Sequence, residues 1–114
     1  MSTTPNLNLE LVPSNSLQPW VAVNDALQLL DALVQLTVES RTLTAPPATV
    51  SGDVGKRWIV AASATGDWAG HDDDIALCTA AGLWRFITPR EGFEGWDAGA
   101  GERVRYESGA WALA

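Results

Sequence analysis

Side chains able to do chemistry gather in one run of this sequence, His71, Asp72, Asp73 and Asp74. Loop carboxylates hold Ca²⁺ through their oxygens, but this run lacks the alternating ligands and central glycine of an EF-hand loop. A solvated acidic turn that keeps a neighbouring strand from pairing edge to edge accounts for the same residues. His71 is the only histidine and Cys78 the only cysteine. No Gly-rich phosphate loop follows a strand, and there is no nucleophile elbow. Carboxylate pairs occur, Glu91 with Glu94 and Asp72 with Asp74. Glycoside hydrolysis, however, needs a cleft that raises one of the two pKa values, and so short a chain has little room for one. The expectation is a protein that is not an enzyme, with no catalytic residues, no metal site and no cofactor.

The six tryptophans among 114 residues are the compositional oddity. Aromatic surface serves both cores and flat-ligand contacts. Trp58 falls inside the best strand and is expected in the core. Trp84 and Trp111 each follow a turn, where they either pack together or face outward. Trp68 and Trp96 sit in Gly-rich loops, where a ring is less easily covered. Exposed tryptophan near carboxylates and glycine is one way to build a sugar-stacking platform, so these two are the candidate glycan contacts. Structural tryptophans in a small sheet are the alternative. Cys78 ends the alternating run IALC and reads as a small buried hydrophobe.

The element on which the chain is organised is 23–40, VNDALQLLDALVQLTVES. Asn24 and Asp25 offer N-cap oxygens, and Ala26, Leu27, Leu30, Leu33, Val34 and Thr37 recur at helical spacing. At about 100° per residue the polar positions cover roughly a third of the circumference, while Leu29, Ala32 and Leu36 widen the apolar arc. Such an arc fits either a helix buried deep in one monomer or one shared with another copy of the chain. Leu29, Leu33 and Leu36 are the candidate oligomer interface.

Before the helix, 1–20 reads as an extended docking arm. Leu7, Leu9 and Leu11 alternate with polar residues, and Pro13 and Pro19 limit any strand. Free in water it would leave Leu7, Leu9, Leu11, Leu17 and Trp20 exposed, unfavourable by about 1.5–3 kcal/mol for each large side chain. It must therefore lie on its own core or on a neighbouring subunit, with Leu7, Leu9 and Trp20 as the docking residues.

After the helix, 42–55 is a linker broken by Pro46 and Pro47. From 56 to 114 short strands alternate with Gly-containing turns. KRWIVAA is a strand, GDWAGHDDD a polar loop, and IALCT with LWRFIT a hairpin. PREGFEGWDAGAGE is a Gly-rich loop, and ERVRYE with AWALA forms a second hairpin. The hairpins resemble each other, with a tryptophan just after each turn and one copy displaced by an extra turn residue. The architecture expected is α+β: an extended arm (1–20), one long amphipathic oligomerisation helix (21–41), the linker, and a small Trp-rich antiparallel β meander.

With a net charge of -7 and seven Lys plus Arg, the chain is a poor match for a phosphate backbone, so no nucleic-acid partner is expected. No basic leader, apolar signal core or spanning segment opens it, so it is expected to be made in the cytoplasm without membrane insertion.

Two resemblances follow from stretches quoted as they stand. The tail GERVRYESGAWALA resembles the closing strands of small chitin-binding-type modules over its fourteen residues. TPNLNLELV, NDALQLLDALVQL, LTAPP, GKRWIVAASATGDWAGHDDDIA and GLWRFITPREGFEGW together resemble, in order over 4–113, a family of unknown function. That family is encoded by tailed phages, prophages and gene transfer agents, near tail-fibre or head-spike genes. The resemblance implies a bacteriophage virion structural protein made in the host bacterial cytoplasm, a tail-fibre or baseplate-associated host-attachment component. Its partners would be other copies of itself, with a homotrimer best fitting a fibre, other tail or baseplate proteins, and host-surface polysaccharide. A glycan-binding module, a head spike or decoration protein, and a fibre-assembly chaperone are the alternatives.

Overall fold

A computed structural model describes residues 3–12 and 20–114, with Trp20 described only as the first residue of its helix. Leu17, Pro13 and Pro19 of the expected arm lie outside the described residues. Among the described residues one α-helix and seven strands in two sheets make the chain α+β. It divides into two compact units, Met1–Gln35 and Leu36–Ala114.

In the first unit the described part of the arm, 3–12, is not extended. Its chain turns over residues 5–7, with Thr3 bridged to Glu10 and Asn8 in the left-handed region at φ 57°. The reason is a carboxylate. Asp31, on helix α1 (Trp20–Leu33), accepts the backbone N–H of Asn6 and of Leu7 and the Asn6 side-chain amide. Asn24 holds the other end, accepting the Val12 N–H at 2.7 Å and donating to the Val12 carbonyl at 2.8 Å. The residues expected to cap the helix therefore sit in its second turn, where Asn24 acts as a clamp. Alternation in LNLELV fits a strand, but Asp31 and Asn24 accept the Leu7 and Val12 amides, and Thr4 accepts those of Asn8 and Leu9.

The helix stops earlier than its apolar period. The last helical bond runs from the Val34 N–H to the Leu30 carbonyl, and Gln35 then turns the chain at φ 54°, a left-handed helix end. Leu36 and the β-branched Thr37 and Val38 continue as extended chain, and β1 (Thr37–Val38) pairs in parallel with β5 (Glu94–Asp97). The expected helix thus loses 34–41, and Leu36 is not on it.

The second unit holds two antiparallel meanders. The first is β2 (Arg57–Ile59), β3 (Ile75–Ala80) and β4 (Leu83–Ile87); the second is β5, β6 (Glu102–Glu107) and β7 (Ala110–Leu113). Both expected hairpins are present. KRWIVAA contributes a shorter strand, and the supposed Gly-rich loop contains β5, stitched on one side to β1 and on the other to β6. The segment after β1 moves on to the other meander: Ser40 accepts from Ile59 at 3.1 Å and Leu43 from Ala61 at 3.0 Å. Residues 36–55 accordingly belong with the β unit and do not form a free linker.

The hairpin likeness extends to whole meanders. Ile59 opposes Ile75 where Trp96 opposes Arg103; Trp58 opposes Ala76 where Gly95 opposes Val104; Arg57 opposes Leu77 where Glu94 opposes Arg105. Loop bonds repeat as well: Gly55 donates to Cys78 as Gly92 donates to Tyr106, and Cys78 to Lys56 as Tyr106 to Phe93. The extra residue in the first copy is taken up between Cys78 and Ala80, where a β-bulge shifts the register by one residue. The second hairpin closes through Ser108 and Gly109, both at positive φ (55° and 80°), as a two-residue turn with the twist of its strands requires.

The core of the first meander is Trp58, Val60, Trp68, Ala76 and Cys78, with Leu43, Ala64, Trp84 and Phe86 packed against it. Trp84 meets Trp58 and Trp68 edge to face, at 5.4 and 5.2 Å between centroids. Trp58 and Cys78 are in the core as expected.

Candidate functional site

The two loop tryptophans go opposite ways. Trp68 lies in a short 3-10 turn, Gly66–Trp68, and is fully buried against Trp84. It cannot stack a sugar, and that expectation is corrected. The Gly-rich loop is short and its backbone is tied down, with Thr65 donating to Thr44 and His71 to Trp68; it turns the ring inward. Trp96 lies on β5 and remains 45% exposed.

Trp96 is placed by strand period. Along β5 the residues alternate outward and inward, Glu94 and Trp96 exposed, Gly95 and Asp97 buried. Gly95 has to be small: a Cβ there would come within 3.0 Å of the Leu36 side chain. Asp97 is held by the Arg41 guanidinium at 3.3 Å and by the Ala100 N–H at 3.2 Å. Opposite Trp96 on β6 stands exposed Arg103. Beside them Arg105 pairs with Glu94 at 2.9 Å and lies 3.9 Å from Glu107. No ion pair involves Arg103 among the described residues. The outcome is an indole and an uncompensated guanidinium on one open sheet face. Arg103 was not among the expected site residues, although the alternation in ERVRY, with Val104 inward, already places Arg103 and Arg105 on one face.

The helical candidates separate. Leu29 and Leu33 are half-buried, and Leu36 is 4% exposed within the β unit, so Leu36 is not part of any helix interface. The large apolar residues that α1 and its last turn leave open are Val21, Val23, Leu30 and Val34, each between 39% and 51% exposed. Of the arm residues, Leu7 is exposed at 36% and Leu9 is half-buried; nothing is described of the Trp20 side chain.

The acidic run is a structured turn. Asp72 accepts the N–H groups of Ser63 and Ala64, which hold its carboxyl below the usual range. Burial, then the charges of Asp72 and Asp74, push the Asp73 carboxyl up. His71 stacks on Phe86 at 3.6 Å and its Nδ1 is 3.0 Å from Asp74. The side chains of His71, Asp72 and Asp74 thus have structural tasks in the loop, and Asp73 contributes its backbone. Among the described residues no cluster of His, Cys, Asp or Glu could hold a metal ion, and no helix is long and apolar enough to cross a membrane.

No curated protein and no solved structure matches the chain. A family model does, over residues 23–112, from the end of the first turn of α1 to the last strand. On that match the chain belongs to the family described as Protein of unknown function (DUF2793).

Proposed function

We propose that this chain is a non-catalytic structural and attachment component of a phage-like particle, associated with a tail fibre or baseplate and working as a homo-oligomer, with a trimer best suited to a fibre. The observation that carries this reading is the apolar surface left open on α1. Val23, Leu30 and Val34, with half-buried Leu27, follow a four-three-four spacing, the seam by which helices of separate chains pack. The family resemblance over 4–113 supports the particle assignment, and the small twin-meander unit suits a role in binding.

Light scattering on the purified chain tests the assembly. The expected result is a trimer mass that falls to monomer in Val23→Asp/Leu30→Asp while the circular dichroism is retained. A monomeric parent chain would overturn it. Immunogold labelling of purified particles tests the place: label at the tail is expected, and label on the capsid would make it a head spike or decoration protein. Unlabelled particles beside abundant protein in the lysate, with disrupted particles also negative, would leave the assembly chaperone.

A second reading is favoured by one observation, the exposed ring of Trp96 on an open sheet face: this face binds host-surface glycan. Trp68 has no part in it.

A further inference from the structure

We propose that the face formed by Trp96 and Arg103 takes an acidic saccharide, a sugar ring lying on the indole and its carboxylate on the guanidinium. The proposal rests on the glycan reading above and names its ligand class.

The repeated meanders supply the first argument. Matching registers make Trp96 and Arg103 the counterparts of Ile59 and Ile75. In the first meander this cross-strand pair is 2% and 0% exposed. In the second, the same backbone position is open to water and carries an indole and a charged group. A meander of this shape forms with two isoleucines there, so its folding does not call for either side chain. A large aromatic ring kept half in water is unfavourable unless something else covers it.

Charge supplies the second. The chain carries a net charge of -7, and the other arginine on this face, Arg105, is neutralised by Glu94 with Glu107 nearby. Arg103 is not paired among the described residues. Directly opposed residues of an antiparallel pair hold their Cβ atoms about 4.5–5.5 Å apart, which sets the two side chains next to each other at the scale of one sugar ring. The indole offers a flat apolar surface for the C–H face of a pyranose. The guanidinium fork fits a carboxylate in two-point geometry. A neutral sugar would use only the first of these features, and an acidic one uses both.

The experiment titrates the full chain with oligogalacturonate and with the same oligomer methyl-esterified, followed by calorimetry and tryptophan emission. Alongside it, an immobilised panel carries sialylated, alginate, hyaluronan and neutral oligosaccharides. At least one acidic member should bind, and its neutral counterpart should bind about tenfold more weakly or less. Trp96→Ala should abolish the interaction, Arg103→Gln should weaken it about tenfold, and Arg90→Gln should leave it unchanged; circular dichroism verifies that each variant is folded. If acidic and neutral members bind alike and Arg103→Gln has no effect, the acidic class is wrong while the glycan reading stands. Binding indifferent to Trp96→Ala overturns the site itself. Silence across the whole panel overturns both.

Discussion

Trp111 donates its indole N–H to the Asp73 carbonyl oxygen at 2.8 Å, so the last strand of the second meander is fastened to the acidic loop of the first. The bond fixes the backbone of Asp73, whose φ is 68°, while its carboxyl stays half-buried between two like charges. One residue thus serves the fold through its main chain and opposes it through its side chain.

Asp73→Asn should therefore stabilise the chain at neutral pH, by about 0.5–2 kcal/mol. Asparagine tolerates the left-handed backbone and carries no charge. A carboxyl whose folded pKa is raised costs stability when ionised: the penalty is complete above the raised value and absent below the ordinary carboxylate pKa. The gain in melting temperature should accordingly vanish at about pH 3. An equal gain at both pH values would show that charge is not its source.

Asp31 is the opposite case. Burial raises its pKa, but hydrogen bonds from Thr4, Leu7 and Asn6 outweigh that and leave it lowered. Its contribution is present above the unfolded carboxylate pKa and lost as pH falls through the lowered folded value. Asp31→Ala strands two backbone amides at about 1–3 kcal/mol each if they stay out of water. Hydrogen exchange should show Asn6 and Leu7 protected in the parent chain at pH 5 and unprotected in the variant. Retained protection would mean the turn is held by other means.

Leu36 and Gly95 should be energetically coupled. Gly95→Ala drives a methyl group against the Leu36 side chain and should cost about 1–3 kcal/mol. Leu36→Ala removes a buried side chain at about 2–5 kcal/mol. In a double-mutant cycle by urea unfolding, the pair together should cost less than the sum, because each change makes room for the other. Strict additivity would count against Leu36 as a core residue of the β unit.

Trp68→Ala should cost about 3–5 kcal/mol, because it empties a site shared with Trp84. Trp96→Ala should fall within about 0.5 kcal/mol of the parent. Thermal denaturation separates the two, and comparable losses would contradict the burial described for them.

The hairpins were legible in the sequence because alternation, β-branched residues and Ala-Gly or Ser-Gly turns agreed in both. The helix was legible in its period but not at its end: Leu36, Thr37 and Val38 fit an apolar helical stripe and a strand equally well, and the left-handed Gln35 that separates them is not a residue that announces such a turn. β5 was hidden because three of the four residues of Glu94–Asp97 are poor strand formers, and the strand exists through pairing on both sides. Trp68 and Trp96 looked alike because both neighbour glycines. A loop assignment says nothing about which way a ring points, whereas strand parity does, and only Trp96 turned out to lie on a strand.

The three indoles of Trp58, Trp84 and Trp68 stand in near-perpendicular pairs, at 80° and 78°, around a shared middle ring. Transition dipoles so near one another couple, so the folded β unit should carry its own optical signature, a paired band in the far-ultraviolet dichroism that is lost when the rings separate. Trp96, outside that trio and 45% exposed, should emit to the red of it. Assembly of the core and occupation of the open face should thus have separate readouts, dichroism for the first and the Trp96 share of the emission for the second.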